Sequence, residues 1–134
     1  MRVAVVGCGY WGSKHVRVLH AVAAVDHVVA VDSRVERLRD LKRGFPGIDV
    51  FERLDDVLDD ADAVVIATPP ETHVKCAMAA MQAGKSVLVE KPLATSTLDA
   101  RRLVDTAHRL GVVLAVGHTF EYNAFARCSQ VVSI

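Results

Sequence analysis

The stretch RVAVVGCGYWGSKHVRVL, residues 2 to 19, decides the predicted fold. It opens with the continuous apolar run VAVV, residues 3 to 6, which is typical of a strand buried on both faces. Three glycines follow with the spacing GxGxxG, at Gly7, Gly9 and Gly12. Beyond them, apolar residues recur at helical spacing. The stretch therefore predicts a strand, a tight glycine-rich turn and a helix.

The rest of the chain repeats this alternation of strand and helix. Further apolar runs predict strands near residues 27–31, 50–51, 63–67, 87–89 and 112–116. Helices are predicted to begin near Val35, Leu54, Pro69-Pro70 and Ser96. Because the strands are uninterrupted apolar runs, both faces of the sheet should be covered by helices. We predict an α/β fold, a Rossmann-type doubly wound parallel sheet of about six strands in three αβα layers.

Length and charge restrict the function. The 134 residues are enough for one domain, and 16 basic residues balance 16 acidic ones. No net field therefore favours nucleic acid or an anionic membrane as a partner. Cationic residues interrupt the N-terminal apolar run too early for a signal peptide, and no apolar segment is long enough to span a membrane. We expect a cytoplasmic protein with neither a nucleic-acid nor a membrane partner.

The cysteines give no sign of a metal centre. Cys8, Cys76 and Cys128 are far apart, and they form no CxxC pair or Cys/His cluster. An odd number of scattered cysteines argues against a disulfide framework and is typical of reduced cytosolic thiols. We expect no metal site.

The glycine motif lies where a dinucleotide would bind. Ligands of a doubly wound sheet bind beyond the carboxyl ends of the strands. Asp32 ends the second predicted strand 20 positions after Gly12, which is the context of the dinucleotide fingerprint. The helix start at Tyr10 and Trp11 would turn its free amides towards a pyrophosphate. Asp32 would accept hydrogen bonds from the adenosine ribose.

The surroundings of Asp32 bear on which dinucleotide is preferred. Its carboxylate would repel a 2′-phosphate, which favours NAD and leaves NADP possible. Ser33 and Arg34 follow directly, and the Arg34 guanidinium would either stack on adenine or pair with that phosphate. Two other readings remain open here. One is S-adenosylmethionine as the ligand, and the other is a helix start that binds nothing, with Asp32 as a helix cap.

Two later segments also follow predicted strands. In TPPETH, residues 68 to 73, two prolines stiffen a loop beside the middle of the cofactor, and His73 is either a site residue or a surface or cap histidine. In VEKP, residues 89 to 92, Pro92 restricts Lys91 to extended backbone. The Lys91 ammonium would then lie in the cleft and polarise a substrate hydroxyl. Considered alone, such a lysine is more often a solvated loop residue.

The segments VVGCGYWG, ATPPETHVKCAMAAMQAGKSVLVEKPLATS and VGHTFEYNA together resemble the N-terminal half of the Gfo/Idh/MocA oxidoreductases. The resemblance runs from Arg2 to about Asn123 and is most specific from Thr68 to Pro92. It implies an NAD(P)-binding domain and makes remote the alternative of a methyltransferase with S-adenosylmethionine as its ligand. The stretch GHTFEYN is most similar to the nucleotide-sugar 3-dehydrogenase branch.

The resemblance also implies roles for individual residues. Lys91 matches a lysine that contacts both cofactor and substrate and is commonly called catalytic, and His118 is the second catalytic candidate. His118 and Asn123 would line the floor of the active site, with a local hydrogen bond and a helix start as their open alternatives. The expected cofactor-binding residues are Gly7, Gly9, Tyr10, Trp11, Gly12, Asp32, Ser33, Arg34, Thr68, Pro69, Pro70, His73, Glu90, Lys91 and Asn123.

The likeness weakens at Ala124, which replaces a proline that is usual in that branch. We expect residues 1–123 to form the dinucleotide-binding domain and residues 124–134 to be a truncated tail. The family's C-terminal open-sheet domain, which binds substrate and mediates oligomers, would then be lacking.

Two main functions follow from this expectation. The first is the cofactor domain of an oxidoreductase that transfers hydride between a nicotinamide and a sugar or sugar-nucleotide hydroxyl. Its sugar-type substrate would bind only if a C-terminal domain is supplied, and complete turnover is doubtful without one. The second is a stand-alone dinucleotide-binding module without catalysis, and a degenerate domain that binds nothing tightly is a third option. Exposed apolar surface would favour a homo-oligomer.

Overall fold

A computed structural model describes residues 1–117 of the chain. The strands are β1 (Arg2–Val6), β2 (His27–Val31), β3 (Asp49–Phe51), β4 (Ala63–Ile66), β5 (Ser86–Glu90) and β6 (Leu114–Gly117). The helices are α1 (Tyr10–His20), α2 (Val35–Gly44), α3 (Pro70–Gln82) and α4 (Thr97–Leu110). His118, Asn123 and the predicted tail at 124–134 lie outside the described residues.

All six strands belong to one parallel sheet, in the order β3-β2-β1-β4-β5-β6. β1 lies between β2 and β4, so the direction in which strands are added reverses beside β1. This is the doubly wound Rossmann order, and the predicted fold is confirmed. The carboxyl ends of all strands meet at one edge of the sheet, with the reversal at its middle.

Successive strand residues pack on opposite faces of the sheet. On β1, Val5 packs in a cluster with Val16 of α1, and α2 contributes to the same cluster. Its neighbour Ala4 packs in a second cluster with Met81 of α3 and Leu103 of α4. Two helices therefore cover each face, which explains why the strands are continuous apolar runs.

One detail differs from the sequence-based expectation. The acidic segment after β3 forms a short 3-10 helix at Leu54–Asp56 and not a longer helix. On α3, the buried face begins at His73, while Val74 is only partly buried. A polar residue therefore occupies a buried position that apolar periodicity alone does not predict. The predicted start of α4 is confirmed, because the Ser96 side chain accepts a hydrogen bond from the Asp99 amide.

None of the helices in residues 1–117 combines the length and hydrophobicity needed to cross a bilayer. The same residues hold no cluster of three or more histidine, cysteine or acidic side chains that is able to bind a metal ion.

Candidate functional site

The turn after β1 is shaped by close backbone contacts at Gly7. Its backbone is left-handed, with φ of 87°, and its amide donates to the Val31 carbonyl at 2.8 Å. A Cβ at this position would lie 2.7 Å from the Thr68 nitrogen and 2.8 Å from the Ala67 carbonyl carbon. Gly7 is thus held between the end of β2 and the loop after β4, where no side chain fits.

The other two glycines of the motif differ in what surrounds them. A Cβ on Gly12 would lie 1.8 Å from the Gly7 oxygen, whereas the Ala67 side chain is 3.7 Å away. Gly12 is therefore required because any side chain there would collide with the carbonyl group of Gly7, in the turn that precedes α1. A Cβ on Gly9 would have only the Arg37 guanidinium nearby, at 3.6 Å. The fold itself leaves room beside Gly9, and that room is open to a ligand.

The first turn of α1 is suited to an anion. Gly9 is its N-cap residue, and in the described structure no side chain caps this end and no acidic residue lies in the first turn. The first amides of a helix have no partner within the helix, and the positive end of its dipole lies there. A phosphate group would supply the missing acceptors.

Two exposed aromatic residues flank this helix start. Tyr10 and Trp11 make an edge-to-face pair, with ring centroids 5.2 Å apart and planes at 85°. The Lys14 ammonium lies 4.5 Å from the centre of the Tyr10 ring. Both predicted residues are therefore on the surface next to the turn, and Lys14 adds a positive charge there.

Asp32 reaches the same turn from the end of β2. Its side chain is buried, and its Oδ2 atom accepts a hydrogen bond from the Cys8 amide at 2.7 Å. Oδ1 accepts the Arg34 amide at 2.8 Å. The residue at the N-cap of α2 is Arg34, so the reading of Asp32 as an ordinary helix cap is wrong. A carboxylate offers about four acceptor sites, so it retains capacity for a ligand hydroxyl.

Arg37 is a site residue that the sequence analysis missed. Its guanidinium donates to Asp32 Oδ2 at 3.2 Å and also lies beside Gly9. The position directly after Asp32 and Ser33 had pointed to Arg34 instead, whose side chain is exposed. The available signal was helical spacing, because Arg37 lies one turn after Arg34 and so faces back towards the end of β2.

A cavity of about 590 Å³ lies at the carboxyl edge of the sheet, between the end of β2 and the loop after β4. Gly9, Tyr10, Trp11 and Gly12, at the start of α1, do not line it. Of the predicted residues, it is lined by Gly7, Asp32, Ser33, Arg34, Thr68 and Pro69, and Arg37 lines it as well. A larger hollow of about 730 Å³ lies between α2 and β3 and includes none of the predicted residues. We assign the site to the smaller cavity because it lies where the strand order reverses.

The loop after β4 is fixed by hydrogen bonds from the start of α3. The Thr72 hydroxyl donates to the Pro69 carbonyl at 2.8 Å and lies 2.7 Å from the Thr68 hydroxyl. Pro69 is the N-cap residue of α3, and Pro70 is its first residue. The predicted stiff loop is therefore braced along its length.

His73 is buried, so its reading as a surface residue is wrong. Its Nε2 atom lies 2.8 Å from the Thr68 carbonyl oxygen, and its Nδ1 atom lies 2.8 Å from the Pro92 carbonyl oxygen. Both ring nitrogens thus contact backbone, one in the loop after β4 and the other in the loop after β5.

Glu90 is buried at the end of β5, and its Oε1 atom accepts a hydrogen bond from His15 Nε2 at 2.6 Å. Gly117 on β6 is the residue paired with Glu90 in the sheet, and a Cβ at Gly117 would lie 3.3 Å from the same oxygen. Lys91 follows at the exposed edge of the sheet, and the Lys91–Pro92 peptide bond is cis.

The structure thus brings together two groups of predicted residues. The first group surrounds the cavity between the glycine turn, Asp32 and the loop after β4. The second group, at the ends of β4 and β5, contains His73, Glu90 and Lys91, which do not line that cavity. His118 and Asn123, which follow β6 in the sequence, belong to the part of the chain that the structure does not describe.

Cys8 contributes its backbone and not its thiol. Burial raises the pKa of the Cys8 thiol to about 12, and the neighbouring Asp32 carboxylate adds to the effect. A thiol with such a pKa stays protonated at neutral pH and is a poor nucleophile. The Cys8 amide, in contrast, holds the Asp32 carboxylate in place.

These residues fit a dinucleotide. The uncapped start of α1 suits a pyrophosphate, the remaining acceptor capacity of Asp32 suits a ribose hydroxyl, and the open space at Gly9 allows close approach. The fit rests on the donors and acceptors of this chain alone.

Comparisons with known proteins agree with this fit. A family model described as "Oxidoreductase family, NAD-binding Rossmann fold" matches residues 1–118. The chain is 36% identical over 127 residues to 4-carboxy-2-hydroxymuconate-6-semialdehyde dehydrogenase of Sphingobium sp., covering 92% of this chain and 40% of that protein. It is 36% identical over 123 residues to UDP-N-acetylglucosamine 3-dehydrogenase of Acidithiobacillus ferrooxidans, covering 88% and 37%.

A solved structure is similar in both fold and sequence. The crystal structure of GenD2 from gentamicin A biosynthesis, in complex with NAD, superposes with a TM-score of 0.86 at 45% identity. The match covers 91% of this chain and 35% of GenD2, so the chain spans well under half the length of these relatives. Because the family match includes every described residue, the chain belongs to the Gfo/Idh/MocA oxidoreductase family and is an NAD-binding Rossmann domain of that family.

Proposed function

We propose that this chain holds NAD with its pyrophosphate on the first turn of α1 and its adenosine ribose on Asp32. The observation that carries the proposal is the junction of three elements at one cavity. Gly7 holds the turn against the loop after β4, and Asp32 is fixed to the same turn through the Cys8 amide. The turn, the acid and the loop therefore form one preorganised surface.

In this arrangement the nicotinamide half runs along Thr68, Pro69 and Pro70 towards the ends of β4 and β5. Tyr10 and Trp11 would cover the pyrophosphate from the solvent side, and Ser33 and Arg34 would border the adenosine. Glu90 and His73 act by holding the loops, because their polar atoms already bind His15 and backbone carbonyls. His118 and Asn123 are assigned to the floor of the site by resemblance.

For the whole protein, we propose oxidation of a hydroxyl group on a sugar or sugar nucleotide. Bound NAD supplies the hydride acceptor. The Lys91 ammonium orients the substrate hydroxyl by a hydrogen bond and stabilises negative charge on its oxygen as the proton leaves. His118 is the proposed second catalytic residue. The support for this substrate class is the match to a UDP-N-acetylglucosamine dehydrogenase.

The substrate would bind only with a C-terminal domain, because this chain spans only 40% and 37% of the length of the two relatives named above. We propose that the dinucleotide-binding domain comprises residues 1–123 and that residues 124–134 form a tail towards that domain. A homo-oligomer is proposed from the exposed apolar side chains Val18, Leu98 and Val113. A cytoplasmic location is proposed from the two described cysteines, which are both unpaired thiols.

Calorimetric titration of the 134-residue chain with NAD and NADP tests the cofactor assignment. We expect NAD to bind more tightly than NADP. Replacement Asp32→Asn should lower the affinity for NAD, because the ribose hydroxyls lose a charged acceptor. It should also narrow the difference in affinity between NAD and NADP, because the negative charge that repels the 2′-phosphate is removed. Asp40→Asn, at an exposed position on α2, is the matched control. An absence of NAD binding, or an equal effect of both substitutions, would contradict the proposal.

A further inference from the structure

One side chain joins the two loops that follow β4 and β5. His73 lies on the first turns of α3 and is 1% exposed. Its ring spans from the Thr68 carbonyl oxygen to the Pro92 carbonyl oxygen, with both contacts at 2.8 Å. Thr68 is five positions from His73 in the chain and Pro92 is 19 positions away, so the ring connects two different loops. It links the proposed nicotinamide loop to the loop of Lys91.

Both partners of this ring are acceptors. A carbonyl oxygen accepts hydrogen bonds and cannot donate them, and a neutral imidazole carries only one N–H. A neutral His73 ring would point a nitrogen lone pair at one of the two oxygens, at hydrogen-bonding distance. Turning the ring over would place carbon atoms in the positions of both nitrogens. Only the doubly protonated ring donates to both carbonyl groups.

Two effects bear on whether a buried charge is tolerated here. Hydrogen bonds from a charged donor are shorter and stronger than neutral ones. A doubly protonated His73 would make two of them at once, to the two carbonyl oxygens at 2.8 Å. The positive end of the α3 dipole acts in the opposite direction, but its effect falls off within the first turn. The pair of carbonyl oxygens is the local feature that favours the charged ring.

The ionisable groups closest to this ring in the chain are on two elements. Glu71, Lys75 and Cys76 lie on α3, where Glu71 and Lys75 are exposed and Cys76 is partly buried. Glu90 and Lys91 lie just before Pro92. The Glu90 carboxylate already accepts a hydrogen bond from His15, so its charge is shared with another imidazole.

We propose that His73 is a positioning residue whose doubly protonated ring ties the loop of Thr68 to the loop of Lys91 and Pro92. The tie sets the width of the groove that receives the nicotinamide half of the cofactor. Naming that ligand rests on the proposed function, whereas the tie and its protonation state do not. The role is indirect, because His73 acts through the two carbonyl groups that it binds.

The protonation state is read directly from the ring nitrogens. The 134-residue chain is labelled with 15N-histidine and observed by NMR at neutral pH without cofactor, and the His73 signals are assigned by their loss in His73→Gln. We expect both ring nitrogens to carry a proton that exchanges slowly with water. A spectrum with one protonated and one bare nitrogen would overturn the doubly protonated tie.

The positioning role is tested by comparing NAD with ADP-ribose, which lacks the nicotinamide. We expect His73→Leu to weaken NAD by about tenfold, the order expected for losing a charge-assisted hydrogen bond, and to leave ADP-ribose unchanged. His73→Gln keeps two N–H donors on its amide and should recover part of the loss. His108→Leu, at an exposed position on α4, is the control.

The outcomes separate the two proposals. Unchanged NAD affinity in a folded His73→Leu variant would overturn the positioning role. If the wild-type chain binds neither NAD nor ADP-ribose, the proposed function fails, while the ring spectrum still decides the state of His73. If His73→Leu does not fold, the decision rests on that spectrum and on His73→Gln.

Discussion

The Glu90 carboxylate and the His15 imidazole lie 2.6 Å apart, although 75 positions separate them in the chain. Their side chains are only 10% and 23% exposed. The contact joins α1, which begins at the glycine turn, to the end of β5, where Lys91 follows. A side-chain hydrogen bond therefore connects the two ends of the proposed cofactor site at the carboxyl edge of the sheet.

Removing this contact should destabilise the domain. Replacement Glu90→Ala leaves the His15 ring without its acceptor in a partly buried place, which costs about 1–3 kcal/mol of unfolding free energy. The measurement is urea unfolding followed by circular dichroism. Glu52→Ala, at an exposed glutamate, should change the free energy by less than about 0.5 kcal/mol. Equal stability of the two variants would show that the contact is not formed in solution.

Alanine at the motif glycines should separate folding from binding. Gly12→Ala forces a methyl group into the Gly7 carbonyl and should cost about 3 kcal/mol or more. Gly9→Ala meets only ordinary contacts and should leave stability nearly unchanged, but it should weaken NAD because the methyl group occupies the space beside the pyrophosphate. Gly47→Ala, which has open space around it, is the control for both. A Gly9→Ala variant that binds NAD with full affinity would show that the pyrophosphate does not lie close to Gly9.

Arg37 should affect NADP more than NAD. Its guanidinium partly neutralises Asp32, so its removal exposes a 2′-phosphate to the bare carboxylate. We expect Arg37→Ala to weaken NADP by about tenfold and NAD by much less. Calorimetry with both cofactors measures the ratio, and Arg39→Ala on the exposed side of α2 serves as the comparison. Parallel losses for the two cofactors would instead favour stacking on adenine, which both share.

The Cys8 thiol should make stability fall at alkaline pH. Its pKa rises from 9.0 to about 12 on folding, so the folded state holds the proton more tightly. The stabilisation is complete below pH 9 and is lost as pH rises from 9 towards 12, by up to about 1.4 kcal/mol per pH unit. The measurement is the unfolding free energy against pH for wild type and Cys8→Ala. The wild-type curve should fall more steeply above pH 9, and identical slopes would contradict burial of the thiol.

Much of the fold could be predicted because its strands and turns are indicated by short stretches of the sequence. Continuous apolar runs such as residues 3–6 and 63–67 indicated strands covered on both faces, and the structure places their successive residues in opposite clusters. The glycine spacing and Asp32 identified the turn and its neighbour. These signals depend on backbone geometry within a few residues.

The contacts that hold the site together could not be predicted in the same way. His15 and Glu90, or His73 and Pro92, meet only after the sheet has assembled. Arg37 was missed because its relation to Asp32 depends on how α2 leaves β2. His73 was read with a surface alternative because a polar residue on a helix carries no apolar signal. Such pairings depend on the order of the strands and on the distances between side chains. The sequence pattern suggests the strand order but does not give those distances.

A crystal structure of this chain with bound NAD tests the central claim most directly. We predict that the pyrophosphate oxygens accept hydrogen bonds from the backbone amides at the start of α1. We also predict that a ribose hydroxyl donates to Asp32 and that the Lys91 ammonium faces the nicotinamide ribose. A dinucleotide bound in the hollow between α2 and β3, away from the glycine turn, would contradict the account.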